Sequence, residues 1–185
     1  MFRLVTPHYR VSEVQELTPE RLRQWGLCAL LLDVDCTLTR YRQDPPAEVA
    51  AWIEELRAAG IGLCLVSNGM GPRIRRFAER LGLPCVCQAM KPLPWGVWSA
   101  IRTLHATARQ TAMVGDQLFA DVMAGRLAGV RTILVDPLHP EEEPWFTRLK
   151  RVPERFVLGR LKRGLAECVG HHVLDFPISE PRGLF

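Results

Sequence analysis

The sequence predicts a doubly wound α/β sandwich on a parallel sheet, and three observations carry that reading. Short apolar runs alternate with stretches of helical periodicity. Single helices separate the successive runs, which requires parallel pairing and helices on both faces. Polar residues able to do chemistry cluster just after the apolar runs, where such sheets place their ligand sites. With 185 residues, 48% hydrophobic and 24% charged, the chain has the length and balance of one globular domain. Disordered and fibrous classes are excluded.

Thr18 followed by Pro19 is an N-cap with proline at the first helical position, and opens a short helix to about Trp25. Gly26 stops it, and the run Cys28–Leu32 is a buried strand. After a polar loop with Pro45 and Pro46, Ala47–Ala59 is a helix with Val49, Trp52, Ile53 and Leu56 on one face and Gly60 as its stop. Ile61–Val66 is the second strand. Gly69 and Gly71 make a turn, and Pro72 begins a helix to about Leu81. Leu83–Gln88 is a short third strand, and Trp95–Ala106 the next helix. Thr111–Val114 is the fourth strand, Gln117–Ala128 a helix and Arg131–Val135 the fifth strand. There is no internal repeat. The expected organisation is one domain over 1–185, with an N-terminal extension over 1–26 and a basic helical segment over about 145–170.

The six cysteines form no CxxC pair, and Cys85 with Cys87 makes only a CxC, so buried reduced thiols are expected rather than a zinc site or disulfide framework. No signal pattern and no apolar stretch of membrane-spanning length occur, so the chain reads as cytoplasmic. The net charge of +4 is uneven: seven basic residues and one acid lie between Arg148 and Arg163, just after the triplet Glu141, Glu142 and Glu143. His171 and His172 lack a paired carboxylate or cysteine pattern and read as surface residues. The five tryptophans read as core or interface anchors, and no dinucleotide or P-loop fingerprint is present.

The strand ends hold the chemistry. Asp33 and Asp35 follow the first strand, Ser67 and Asn68 the second, Lys91 the third, and Gly115 with Asp116 the fourth, with Asp121 five residues further on. Two acids one residue apart beside an apolar strand repel each other and are costly to desolvate without a cation or donors nearby. On a regular helix, residues five apart point about 140° from each other. Asp116 and Asp121 therefore converge only if Asp116 sits in the turn that Gly115 permits.

DVDCTLT, VSN, Lys91-Pro92 and GDQLFAD, in this order and context, resemble the four motifs of haloacid dehalogenase (HAD) phosphatases. More narrowly, SNGMGPRIRRFAERLGLP, AMKPLPWGV and VGDQLFADVMAGRLAGVRTILVDP are similar to the YqeG-like group of HAD subclass IIIA, which includes relatives of phosphatidylglycerophosphate phosphatases. Cys36 departs from the Asn or Gly usual in the group. The resemblance implies a HAD-like Rossmannoid three-layer sandwich and a Mg²⁺-dependent phosphomonoesterase. Asp33 would be the nucleophile forming an aspartyl-phosphate, and Asp35 the general acid and base. Mg²⁺ would sit on Asp33, Asp116 and the backbone carbonyl of Asp35. Lys91 is the third catalytic candidate, while Thr37, Ser67 and Asn68 are the phosphate- and substrate-binding candidates. Asp121 is in support, holding Lys91 or a metal-bound water.

The spans Thr39–Ser67 and Asn68–Lys91 are filled by scaffold elements, so no cap domain fits and the site is expected to be open. An open site favours a phosphate displayed on something large, and phosphatidylglycerophosphate in phospholipid biosynthesis is the leading substrate. A phosphoprotein or a soluble metabolite is the alternative. A receiver-like phosphoacceptor module is the non-enzyme reading, disfavoured because receivers place the acceptor where this chain has Lys91. The basic tract either packs on the domain through its apolar residues or lies peripherally on anionic membrane. Arg73, Arg75 and Arg76 extend that basic surface or hold a second phosphate. No nucleic-acid motif accompanies the charge.

Overall fold

The computed structural model describes residues 3–139 and 159–160. Six strands form one all-parallel sheet in the order β1-β6-β5-β2-β3-β4. They are β1 (Tyr9–Val11), β2 (Ala29–Leu32), β3 (Gly62–Val66), β4 (Cys85–Val86), β5 (Thr111–Gly115) and β6 (Arg131–Val135). The helices are α1 (Pro19–Gln24), α2 (Ala47–Ala58), α3 (Gly71–Leu81), α4 (Trp95–Thr103) and α5 (Met123–Ala128).

The central strand β2 is buried along its whole length, with Leu31 level with Cys64 of β3 and Met113 of β5. Alternation along it divides the core into two layers. Leu30 and Leu32 pack with Val49, Ile53, Leu56, Ile74 and Phe77 of α2 and α3. Leu31 joins Val97, Ala100, Ala124 and Ala128 of α4 and α5 on the opposite face. The result is a three-layer sandwich. β2→β3 is crossed by a loop and α2, and β3→β4 by α3, with no domain inserted in either connection.

Local chemistry explains the boundaries. The Thr18 hydroxyl caps α1 by accepting from Arg21 N at 3.3 Å, with Pro19 at the first helical position. Trp52 is buried on α2 and donates its indole N–H to Leu17 O at 3.2 Å, tying α2 to the segment before α1.

Three departures from the sequence reading have physical causes. The expected third strand shrinks to Cys85–Val86, because the chain beyond it turns toward β3 and Ala89 N donates to Ser67 O at 3.0 Å. The single helix expected over Gln117–Ala128 is divided into a π-helical turn, Leu118–Val122, followed by α5. A sixth strand, β1, lies in what reads as an N-terminal extension and pairs with β6. Its Tyr9 stacks on Trp25, ring centroids 3.8 Å apart and planes within 7°. The basic tract from Arg148 to Arg163 lies outside the described residues except for Gly159 and Arg160, and His171 and His172 lie outside them too. Among the described residues no helix is long and apolar enough to cross a membrane.

Candidate active site

Strand order reverses between β2 and β5: β3 and β4 are added on one side of β2, and β5, β6 and β1 on the other, with every strand running the same way. Such switch points open a crevice at the carboxyl ends of the strands. Asp33 leaves β2 with its N–H bonded to Val114 O at 2.9 Å, which aligns it with the end of β5, where Asp116 follows Gly115.

Lys91 stands between the acids. Its Nζ donates to Asp33 Oδ1 at 2.5 Å, Asp121 Oδ1 at 2.7 Å and Val66 O at 2.9 Å, so all three ammonium protons are used. The lysine is placed through its backbone. Its N–H donates to Asn68 Oδ1 at 2.8 Å, and Asn68 Nδ2 donates to Lys91 O at 2.9 Å. Gln88 (φ 49°) and Met90 (φ 55°) both adopt left-handed backbone on the approach to it. Non-glycine residues hold that conformation at a cost of about 1 kcal/mol or more, so the loop is shaped against local preference.

Asp121 arrives from the π-helical turn. Its second oxygen accepts from Gln117 N at 3.0 Å. Gly115 makes the approach possible, since a Cβ there would overlap the Asp121 carboxylate. Convergence of Asp116 and Asp121 thus comes about as the spacing requires, with Asp116 in the turn. One oxygen from each of Asp33, Asp116 and Asp121 lies within 4.8 Å of the others, and all three residues are buried.

The Asp33 carboxyl is pushed up to about 8, first by burial and then by Asp121 and Asp116, against the downward pull of Lys91. Lys91 is held above its ordinary value by Asp121 and Asp33, which outweigh its burial. A compact set of hard oxygen donors suits an oxygen-seeking divalent cation such as Mg²⁺. The residues present fit one. Asp121 belongs to this cluster by position, although its carboxylate is engaged by Lys91 and Gln117.

Two expected substrate-binding residues have other occupations. Thr37 is buried; its hydroxyl donates to Asp116 Oδ1 at 3.0 Å and lies 3.5 Å from Asp33 Oδ2, so its single proton braces the acids. The Asn68 amide is committed on both sides to the Lys91 backbone. Ser67 faces the cleft; its hydroxyl accepts from Gly69 N at 3.0 Å, which leaves its own proton to donate.

Asp35 stands apart from the carboxylate cluster. Its Oδ1 accepts from Arg42 N at 2.9 Å, and its Oδ2 is ion-paired with Arg73 Nη2. Cys36, the departure from the group pattern, sits in left-handed backbone at φ 65° and lines the same cleft. That cleft measures about 540 Å³, with Asp33, Asp35, Ser67, Lys91 and Asp121 in one wall and Tyr41, Arg42, Met70 and Arg73 around them. Tyr41 and Arg42 were not singled out from the sequence; they sit on an irregular loop with no periodic signal.

The model of the haloacid dehalogenase-like hydrolases matches residues 18–129. The protein named "Probable phosphatase YqeG" from Bacillus subtilis (strain 168) is 33% identical over 158 residues, 85% of this chain and 91% of that protein. Phosphatidylglycerophosphate phosphatase 1, chloroplastic/mitochondrial, of Arabidopsis thaliana is 27% identical over 87% of this chain, which spans 49% of that relative's length. Among solved structures, the cobalt-bound deoxy-D-mannose-octulosonate 8-phosphate phosphatase (YrbI) of Haemophilus influenzae has the same fold. Its TM-score is 0.51 at 20% identity, covering 60% of this chain and 69% of that one. Strand-end acids, the buried lysine and the matched span agree: the chain belongs to the haloacid dehalogenase-like hydrolase family and is a phosphatase of that family.

Proposed function

We propose that this phosphatase is a Mg²⁺-dependent phosphomonoesterase working through an aspartyl-phosphate on Asp33. The observation that carries the reading is the placement of Lys91 between Asp33 and Asp121 in the lining of the cleft, with Asp116 completing a buried carboxylate trio beside them. Asp33 Oδ attacks phosphorus, the phosphorus–alkoxide bond breaks, and the departing oxygen takes a proton from Asp35. Water then attacks phosphorus and gives a proton to Asp35. The bond from phosphorus to Asp33 breaks, and inorganic phosphate leaves. The hydroxyl of Ser67 would donate to a phosphoryl oxygen, and the positive charge of Lys91, whose protons are held by Asp33, Asp121 and Val66 O, would stabilise the phosphoryl charge through space. Asp33, Asp116 and the backbone carbonyl of Asp35 would hold the cation, which when bound offsets the carboxylate charge and that of the phosphoryl group.

Phosphatidylglycerophosphate is the substrate favoured here. Support comes from the name of the plant relative, the absence of an inserted domain over the cleft, and the basic, apolar-interleaved tract of the sequence. The test is phosphate release with and without Mg²⁺ from phosphatidylglycerophosphate in mixed micelles, from phosphopeptides and from soluble phosphate esters. Lipid turnover well above the others, abolished in Asp33→Asn, is the expected result. Equal or greater turnover of the soluble esters, without binding to anionic vesicles, sinks the lipid substrate but leaves the chemistry. Release unchanged in Asp33→Asn sinks the nucleophile.

A further inference from the structure

Arg73 is a cation in the cleft that the chemistry above leaves unused. It lies in the first turn of α3 and reaches back over the loop after β3, so that a Cβ on Gly69 would come 3.1 Å from its Nη2. A side chain at Gly69 would crowd both the guanidinium and Ile74, whose Cδ1 would lie 3.0 Å from its Cβ. Among the described residues Asp35 is the sole acceptor it reaches, through Nη2. Nη1 is closed off from solvent and has no hydrogen-bond partner. A desolvated N–H without an acceptor costs about 1–3 kcal/mol, and a guanidinium offers a planar fork suited to two oxygens of one group. Its present pairing therefore satisfies half of what the fork can do.

Position decides what would complete it. The reacting phosphoryl group belongs against Asp33, Lys91 and Ser67, whereas Arg73 touches Asp35, the group that meets the departing oxygen. Anything bound by Arg73 is thus one hydrogen-bonded neighbour away from the leaving alcohol. We infer that Arg73 is a specificity-determining residue that recognises a second oxyanion, a phosphate diester or a carboxylate, carried by the leaving-group part of the substrate. This rests on the phosphomonoesterase reading. The second oxyanion supplies the acceptor that the fork lacks at Nη1. Tyr41 and Arg42 line the same side of the cleft, with Arg42 stacked on the Tyr41 ring at 5.4 Å.

The test is a ratio. kcat/KM is measured for wild type and Arg73→Gln on a soluble ester whose alcohol carries a phosphate diester (deacylated phosphatidylglycerophosphate), on glycerol 3-phosphate, which lacks the second anion, and on the intact lipid in micelles. Losing the brace on Asp35 slows all three alike and cancels in the ratio. The expected result is at least a tenfold fall in the preference for the diester-bearing ester over glycerol 3-phosphate, mostly in KM. An equal fall for the deacylated and intact substrates assigns the recognised group to the headgroup. A fall confined to the intact lipid overturns the inference, as does an unchanged ratio. If Arg73→Gln does not fold, wild type is inhibited with glycerophosphoglycerol and with glycerol: inhibition at least tenfold stronger by the anion supports the subsite, and equal inhibition removes it. Wild type inactive on every phosphomonoester sinks the phosphatase chemistry itself, a different failure from active enzyme with no anion preference.

Discussion

Lys91 Nζ and Asp121 Oδ1 meet at 2.7 Å in a place where neither side chain is more than 3% exposed. An ion pair so far from water is held by its geometry and by the other bonds of its partners, because each charge gave up hydration to be there. Lys91 has Asp33 and Val66 O as further acceptors, and Asp121 has Gln117 N as a further donor. Removing Lys91 leaves Asp33 and Asp121 buried without the cation they share.

Lys91→Met should therefore destabilise the fold by about 3 kcal/mol or more, as breaking a buried pair does. Urea unfolding followed by circular dichroism measures it. Combining it with Asp121→Asn should cost less than the sum of the two single changes, since the second removes the charge orphaned by the first. Strict additivity would mean that the two side chains do not act as a pair.

Divalent cation should bind before any substrate arrives. Adding Mg²⁺ at a hundredfold excess over its Kd should stabilise the folded chain by about 3 kcal/mol, visible as a rise in Tm. Asp116→Asn should remove most of that rise while itself relieving some repulsion in the metal-free protein. A Tm indifferent to Mg²⁺ in wild type would count against a cation held by Asp33 and Asp116.

Gly115→Ala should show how tightly the π-helical turn is docked. The added methyl overlaps the Asp121 carboxylate, which must retreat from Lys91 or push the turn outward. A loss of about 2 kcal/mol is expected from overpacking of this kind, with a fall in phosphate release larger than stability alone explains. Parallel measurement of Tm and turnover separates the two effects.

His8 makes stability depend on pH well away from the cleft. It lies against Thr132, with Nδ1 3.0 Å from Oγ1, and against Arg126, with Nε2 2.8 Å from Nη1. Burial, then Arg126 and Arg131, bring its pKa down from 6.5 to about 4. Between those values the unfolded chain binds a proton that the folded chain refuses, so stability falls as pH drops from 6.5 toward 4 and is fully present above 6.5. Urea midpoints at pH 7 and pH 5 should differ less in His8→Gln than in wild type.

What was legible in the sequence was whatever sits at a strand end. Asp33, Ser67, Lys91 and Asp116 could be placed on one edge because apolar runs mark where each strand stops, and a parallel sheet brings those stops together. Asn68 and Thr37 could be placed at the same edge from the sequence, but their contacts within the protein could not. A short polar side chain beside a phosphate site has acceptors and donors on several sides. Only the fold shows that the Lys91 backbone and the Asp116 carboxylate reach them first. The Arg73–Asp35 pair joins residues 38 apart along different elements, a contact no local period encodes. β1 escaped notice because three residues, half-buried at the sheet edge, are too few to display an alternation.

That first strand also orders events in time. Tyr9, Arg10 and Val11 take their places beside Ile133, Leu134 and Val135, the last strand of the sheet. As the chain leaves the ribosome, β2 and β3 can pair while the later residues are still being made, yet β1 has nothing to pair with until β6 emerges. Closing so long a loop is slow compared with joining neighbours. The first strand made is thus the last to be locked, and until then the edge of β6 is an open seam at which a nascent or stressed chain is most easily mispaired.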